Sequence, residues 1–203
     1  MKLLVDTDAF CKLGIAGLLR DAVNILGANL QECGRLPALP HMLRRGSLRK
    51  QFGAEACDGL ISLADTMPVV PEPSVAWLDK FTAIETVDPG EAQILAAAAE
   101  FGLLVVSGDK RALGAIKVIE GLADALAGRI AVLETILLAL CERLGPGEVR
   151  RRVTPLADQD KMIAVCFSHG TEDPREGLQS YYKSLAVDIE PLILWSPGLG
   201  GAA

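Results

Sequence analysis

The sequence predicts an α/β fold, a three-layer α/β/α sandwich around a mainly parallel central sheet. Three observations predict it. Short apolar runs (Leu3-Leu4-Val5, Leu103 to Val106 and Ile130 to Leu133) alternate with longer segments whose apolar residues recur at helical spacing. Half of the 203 residues are hydrophobic but only 4% are aromatic, so a substantial core of Leu, Ala, Val and Ile is expected. Two of the runs lead into an aspartate, Asp6 and Asp109. In an open parallel sheet, ligands bind at the carboxyl ends of the strands.

In chain order, Lys2 to Val5 reads as a buried strand. Asp6 and Asp8 interrupt any signal-peptide core in MKLLVDTDAF. Leu13 to Leu26 has helical spacing and closes at Gly27. Leu36 to Leu43 holds two prolines and leads into a short helix, and Gly53 to Ala64 forms another, broken near Pro68. Val69-Val70 is a short extended piece, and Ser74 to Thr82 forms one or two helical turns. Asp88-Pro89-Gly90-Glu91 opens an Ala-rich helix that runs to about Glu100 and stops at Gly102. Strand Leu103 to Val106 follows, then helical segments Lys110 to Ile116 and Ile119 to Leu126. A strand at Ile130 to Leu133 runs directly into a helix, Thr135 to Leu144, ended by Gly145-Pro146-Gly147. That triplet is also the domain-boundary candidate, dividing residues 1–148 from an extension, 149–203. The extension carries helices at Gln159 to Ser168 and Pro174 to Leu185 and an apolar stretch, Ile189 to Trp195. The tail SPGLGGAA is expected to be disordered.

The net charge of −6 argues against tight, indiscriminate nucleic-acid binding through overall charge, and leaves room for an acidic metal site acting on a phosphodiester. Five widely spaced cysteines without a CxxC pair predict buried free thiols in a reducing compartment. His41 and His169 fit no zinc spacing. No apolar run approaches the roughly 18 residues of a membrane span. A cytoplasmic protein without membrane association is expected.

The candidate chemistry lies in three acids, Asp6, Glu91 and Asp109. Carboxylates gathered at one sheet edge repel. At about 4 Å and an effective dielectric of about 20, a pair costs about 4 kcal/mol. A hard cation, Mg²⁺ or Mn²⁺, would remove that cost. Each acid also has a purely structural role open to it. Asp6 could cap the following helix, as could Asp8, which is otherwise an additional ligand. Asp88 and Glu91 read as a capping box. Asp109 could cap the helix after Gly108. Ser107 and Lys110 are placed to contact a phosphate, although Lys110 and Arg111 also read as plain helix-surface charges. Arg44, Arg45, Arg49 and Lys50, or Arg150 to Arg152, could hold a phosphate backbone or form a solvated face.

The order LLVDTD, GEAQILAAAA, LVVSGDKRAL resembles that of the PIN-domain nucleases over roughly residues 1–145. The resemblance implies a Rossmann-like α/β/α domain over residues 1–148. The extension would then pack on that domain or on a partner. It implies that Asp6, Glu91 and Asp109 hold Mg²⁺ or Mn²⁺ and that the substrate is RNA. It also implies a possible role as the toxin of a toxin–antitoxin pair, with an antitoxin protein or a second copy as partner. Thr7 matches the small hydroxyl residue after the first acid. Many family members carry another acid within the region covered here by residues 30–45, where Glu32 is the only acid and is out of register. Lys110 and Arg111 stand where some members have a fourth acid, and Glu134 is the candidate replacement. Two alternatives are a PIN-like interaction module without activity and a phosphatase resembling the haloacid dehalogenases. In the phosphatase, Asp6 would be the nucleophile and Asp8 the acid/base.

Overall fold

The computed structural model describes residues 1–117 and 119–197. The expected α/β/α sandwich is present. Its sheet holds four parallel strands, β1 (Leu3–Val5), β2 (Cys33–Gly34), β3 (Leu104–Val106) and β4 (Ile130–Ala131), in the order β2-β1-β3-β4. Leu3, Leu4 and Val5 pair with Leu104, Val105 and Val106.

Period-2 alternation divides the core into two. Leu3, Val5, Val106 and Ala131 face one helical layer. That layer holds α1 (Thr7–Ile15), α2 (Leu19–Ile25), α3 (Leu39–Arg45), α4 (Ser47–Phe52) and α5 (Ala54–Thr66). It also holds α10 (Leu133–Leu144), α11 (Pro146–Val153) and α12 (Lys161–Cys166). Leu4, Val105 and Ile130 face the other layer, made of α6 (Val75–Thr82), α7 (Pro89–Phe101), α8 (Lys110–Ile116) and α9 (Leu122–Ala125). The last helix, α13 (Pro174–Asp188), serves both, with Leu178 in the first core and Leu185 in the second.

Several elements differ from the sequence expectation. The helix expected from Leu13 to Leu26 is two helices, because Gly17 takes a left-handed φ of +64° and ends α1. The first helix begins at Thr7, directly off the strand, so its cap is Asp6 and not Asp8. Asp6 has the extended backbone of a cap, and its Oδ1 accepts from the Thr7 amide at 2.7 Å. Strand β2 was not anticipated, since two residues carry no periodicity. A Cβ on Gly34 would meet Met1 Sδ at 2.5 Å and Leu4 Cδ2 at 2.7 Å, so β2 packs this closely only with glycine there. Strand β4 is shorter than expected, and Glu134 lies in the first turn of α10 instead of at a strand end.

Both sheet edges are extended by isolated pairing. Arg35 bridges Val69 beyond β2. Beyond β4, the Gly128 amide donates to Ile193 O at 2.7 Å and the Trp195 amide to Ile130 O at 2.8 Å. Residue numbers rise together along both segments, so the apolar stretch of the extension runs parallel to β4 and covers its edge. Leu192 and Leu194 are buried in the second core. Of the tail SPGLGGAA, residues 198–203 lie outside the described residues. All five cysteines are buried and unpaired. Among the described residues, no helix is long and apolar enough to cross a membrane.

Gly102 ends α7 at φ +64°. A Cβ there would meet nothing closer than the Arg129 guanidinium at 3.6 Å, so only the backbone conformation opposes a side chain. Gly102→Ala should lower stability by about 1 kcal/mol, read as a lower urea midpoint at unchanged slope.

Candidate functional site

The pairing of β1 with β3 fixes where the acids emerge. The Asp6 amide donates to Val106 O at 2.9 Å, which holds the end of β1 against the end of β3. Asp6 therefore leaves the sheet at the same edge as Ser107, Gly108 and Asp109. Asp109 then caps α8, its Oδ1 accepting from the Arg111 and Ala112 amides at 2.7 and 3.1 Å. Glu91 comes from the first turn of α7 in a complete capping box. Asp88 Oδ1 accepts from the Gly90 and Glu91 amides, and Glu91 Oε2 accepts from the Asp88 amide at 3.0 Å.

These side chains line one cleft of about 420 Å³, shared by Asp6, Thr7, Asp8, Asp88, Glu91 and Asp109. Leu36, Met42 and Leu48 form its apolar wall, with Gln51 beside them. No lysine or arginine lines it, and the crowding appears in the acidities. Burial first, then the charges of Asp8 and Asp88, push Asp6 up to about 7 from the ordinary 3.8. Burial and the neighbouring Asp109 and Asp88 push Glu91 up to about 7. Asp109 moves the other way. Burial opposes its ionisation, but the Ala112 and Arg111 amides, the Arg111 guanidinium and the neighbouring Glu91 carboxyl outweigh it.

The other sequence candidates lie elsewhere. Ser107 is buried and lines neither this cleft nor its neighbour. Lys110 and Glu134 belong to a second cleft, where they form an ion pair at 2.7 Å. Glu134 is therefore not brought to Asp6, Glu91 and Asp109. Asp8 lies between the two clefts and lines both. Its Oδ2 pairs with Lys12 at 2.7 Å, and Lys12 pairs in turn with Asp160 at 2.7 Å.

Sequence reasoning missed Lys12, Asp88 and Asp160 as site residues. Lys12 had a local signal in its i,i+4 spacing from Asp8. Asp88 and Asp160 read only as helix caps, and nothing local links Asp160 to a lysine 148 residues away.

The lining of the acidic cleft is an all-oxygen donor set, which suits Mg²⁺ or Mn²⁺ and not zinc. The raised pKa values of Asp6 and Glu91 mark desolvated carboxylates that no cation among the described residues pairs with. As folded, no three carboxylates, thiols or imidazoles among the described residues are gathered closely enough to hold a metal ion. Asp6 Oδ1, Glu91 Oε2 and Asp109 Oδ1 are occupied by backbone amides. Binding one cation to all three needs side-chain rotation or use of their second oxygens. The chain matches no protein-family model, no curated protein and no solved structure.

Proposed function

We propose that the chain is a divalent-metal-dependent nuclease that hydrolyses RNA phosphodiester bonds, as its resemblance to the PIN-domain nucleases implies. One observation carries the reading. Five carboxylates line a single cleft at the carboxyl edge of a parallel sheet, and only two of them, Asp8 and Asp109, are paired with a cation among the described residues, Lys12 and Arg111. Two of them, Asp6 and Glu91, hold their protons to about pH 7. Asp6, Glu91 and Asp109 would hold the cation, with Asp8 as an additional candidate. Mg²⁺ or Mn²⁺ bound there would supply Lewis acidity at the phosphate and a more acidic water.

The chain's own residues supply the remaining parts. Thr7 offers a hydroxyl inside the cleft, and Leu36, Met42 and Leu48 keep one wall dry. Arg45 and Lys50 lie on α3 and α4, the helices that also supply Met42, Leu48 and Gln51 to the cleft. Arg44 and Arg49 on these helices are paired with Asp65 and Asp58, which leaves Arg45 and Lys50 for a phosphate backbone. The other basic cluster is occupied structurally. Arg150 donates to Thr171 O, Arg151 and Arg152 pair with Glu148, and Arg152 also reaches Gly17 O. By the same resemblance the chain would be a toxin whose partner is an antitoxin protein. The phosphatase alternative is disfavoured, because its acid/base Asp8 is tied to Lys12 and Glu91 would have no role.

Cleavage of a mixed RNA pool in Mn²⁺ or Mg²⁺ tests the reading. Wild type should cut and EDTA should stop it. Asp6→Asn and Asp109→Asn should each lose about 100-fold or more, the equivalent of several kcal/mol of charge stabilisation. Equal cleavage by all three proteins would refute the assignment.

A further inference from the structure

Across Asp8 from the acidic cleft lies the second cleft, of about 320 Å³ and different in kind. Lys12, Lys110 and Lys161 line it together with three carboxylates, Asp8, Glu134 and Asp160, and with Gln159 and Tyr181. Part of this chemistry is fixed in the fold. Lys110 is held by Glu134, which is only 2% exposed, and stands over the Tyr181 ring at 5.3 Å from its centre. Lys12 is committed to Asp8 and Asp160. An ammonium carries three donors, and Lys110 uses one on Glu134. Lys161, the Tyr181 hydroxyl and the Gln159 amide side chain have no hydrogen-bond or ion-pair partner among the described residues. With the three acids taken up by Lys12 and Lys110, the lining residues left without partners carry donors. The cleft is at the lower end of the range for small-ligand sites, and an oxyanion is the ligand those donors fit.

The two clefts meet at Asp8. Gly108 also lines the second cleft, where a Cβ would stand in ordinary van der Waals contact with Asp8 Oδ2 at 3.6 Å. Gln159, Lys161 and Tyr181 all come from residues 149–203, the part outside the PIN-domain resemblance. We infer that this second cleft binds the phosphate of a nucleotide adjoining the one cut, with Lys110, Lys161 and the Tyr181 hydroxyl as its donors. The nucleotide identity rests on the nuclease reading, whereas the preference for a phosphate rests on the cleft alone.

Metal-free calorimetric titration of the full chain with adenosine 5′-monophosphate, inorganic phosphate and uncharged adenosine tests this. Adenosine 5′-monophosphate should bind saturably and adenosine should not. Lys161→Ala and Tyr181→Phe should each weaken binding about fivefold. Neither substitution breaks a buried pair, so both variants should fold. Inorganic phosphate competing with the nucleotide supports the inference and assigns recognition to the phosphate group. Absence of saturable binding by both phosphate ligands overturns it, as does binding that neither substitution affects. Binding without RNA cleavage by the wild type would remove the nuclease reading and leave the phosphate site standing. Cleavage without binding would do the reverse.

Discussion

At pH 8 without divalent cations, Asp6→Asn should be more stable than the wild type by about 2–4 kcal/mol. The folded chain holds the Asp6 proton to about pH 7, whereas an unfolded chain releases it near 3.8. Below about pH 4 both states are protonated and the group contributes no difference. As pH rises from about 4 to 7, the unfolded state ionises while the folded state cannot, so wild-type stability falls. Above about pH 7 the penalty is complete and constant. Asparagine does not titrate, and it still caps α1 through its side-chain oxygen, so the advantage of the variant should grow across that window. Glu91 titrates in both proteins and largely cancels. Urea midpoints from pH 4 to 8 measure the effect. Mn²⁺ should then close most of the gap by stabilising the wild type, with about 2.7 kcal/mol gained at 100 times the dissociation constant, and should leave the variant almost unmoved. A variant no more stable than wild type at pH 8 would show that Asp6 is not held uncharged. Equal stabilisation of both proteins by Mn²⁺ would remove Asp6 from the metal site.

The second large effect concerns Lys110 and Glu134. Lys110→Met should cost about 2–3 kcal/mol, because it leaves the Glu134 carboxylate buried without its cation. The lysine is itself 45% exposed at its side chain, so some water can reach the orphaned acid, which keeps the cost below that of a fully enclosed pair. Adding Glu134→Gln to Lys110→Met should recover most of the loss, since a neutral amide needs no counter-charge. A double-mutant cycle of urea midpoints isolates the coupling. If the single and double variants are equally unstable, the loss comes from packing and not from the stranded charge.

How much of this was legible depended on whether each signal was local. Asp6 and Asp109 could be placed because an apolar run stopping before an aspartate is visible within a few residues. The capping box at Asp88 and Glu91 was legible for the same reason, down to the reciprocal hydrogen bonds. The free cysteines followed from count and spacing. Strand β2 was not legible, because two residues cannot display a period. The start of α1 stayed open between two caps, since Asp6 and Asp8 are both good caps and only the path of the strand into the helix selects Asp6.

The sequence by itself determined the alternation of buried strands and amphipathic helices, the parallel α/β architecture and the acids at the strand ends. These depend on residue order within a few turns of chain, where periodicity and capping act. Only the tertiary structure decided which charges meet. It gave Lys110 to Glu134 and Lys12 to Asp160, withdrew Glu134 from the acidic cleft and drew Gln159, Lys161 and Tyr181 into a second one. It also drove Asp6 and Glu91 toward neutrality. Electrostatic energy depends on distance and burial, and both are set by contacts between segments far apart in the chain.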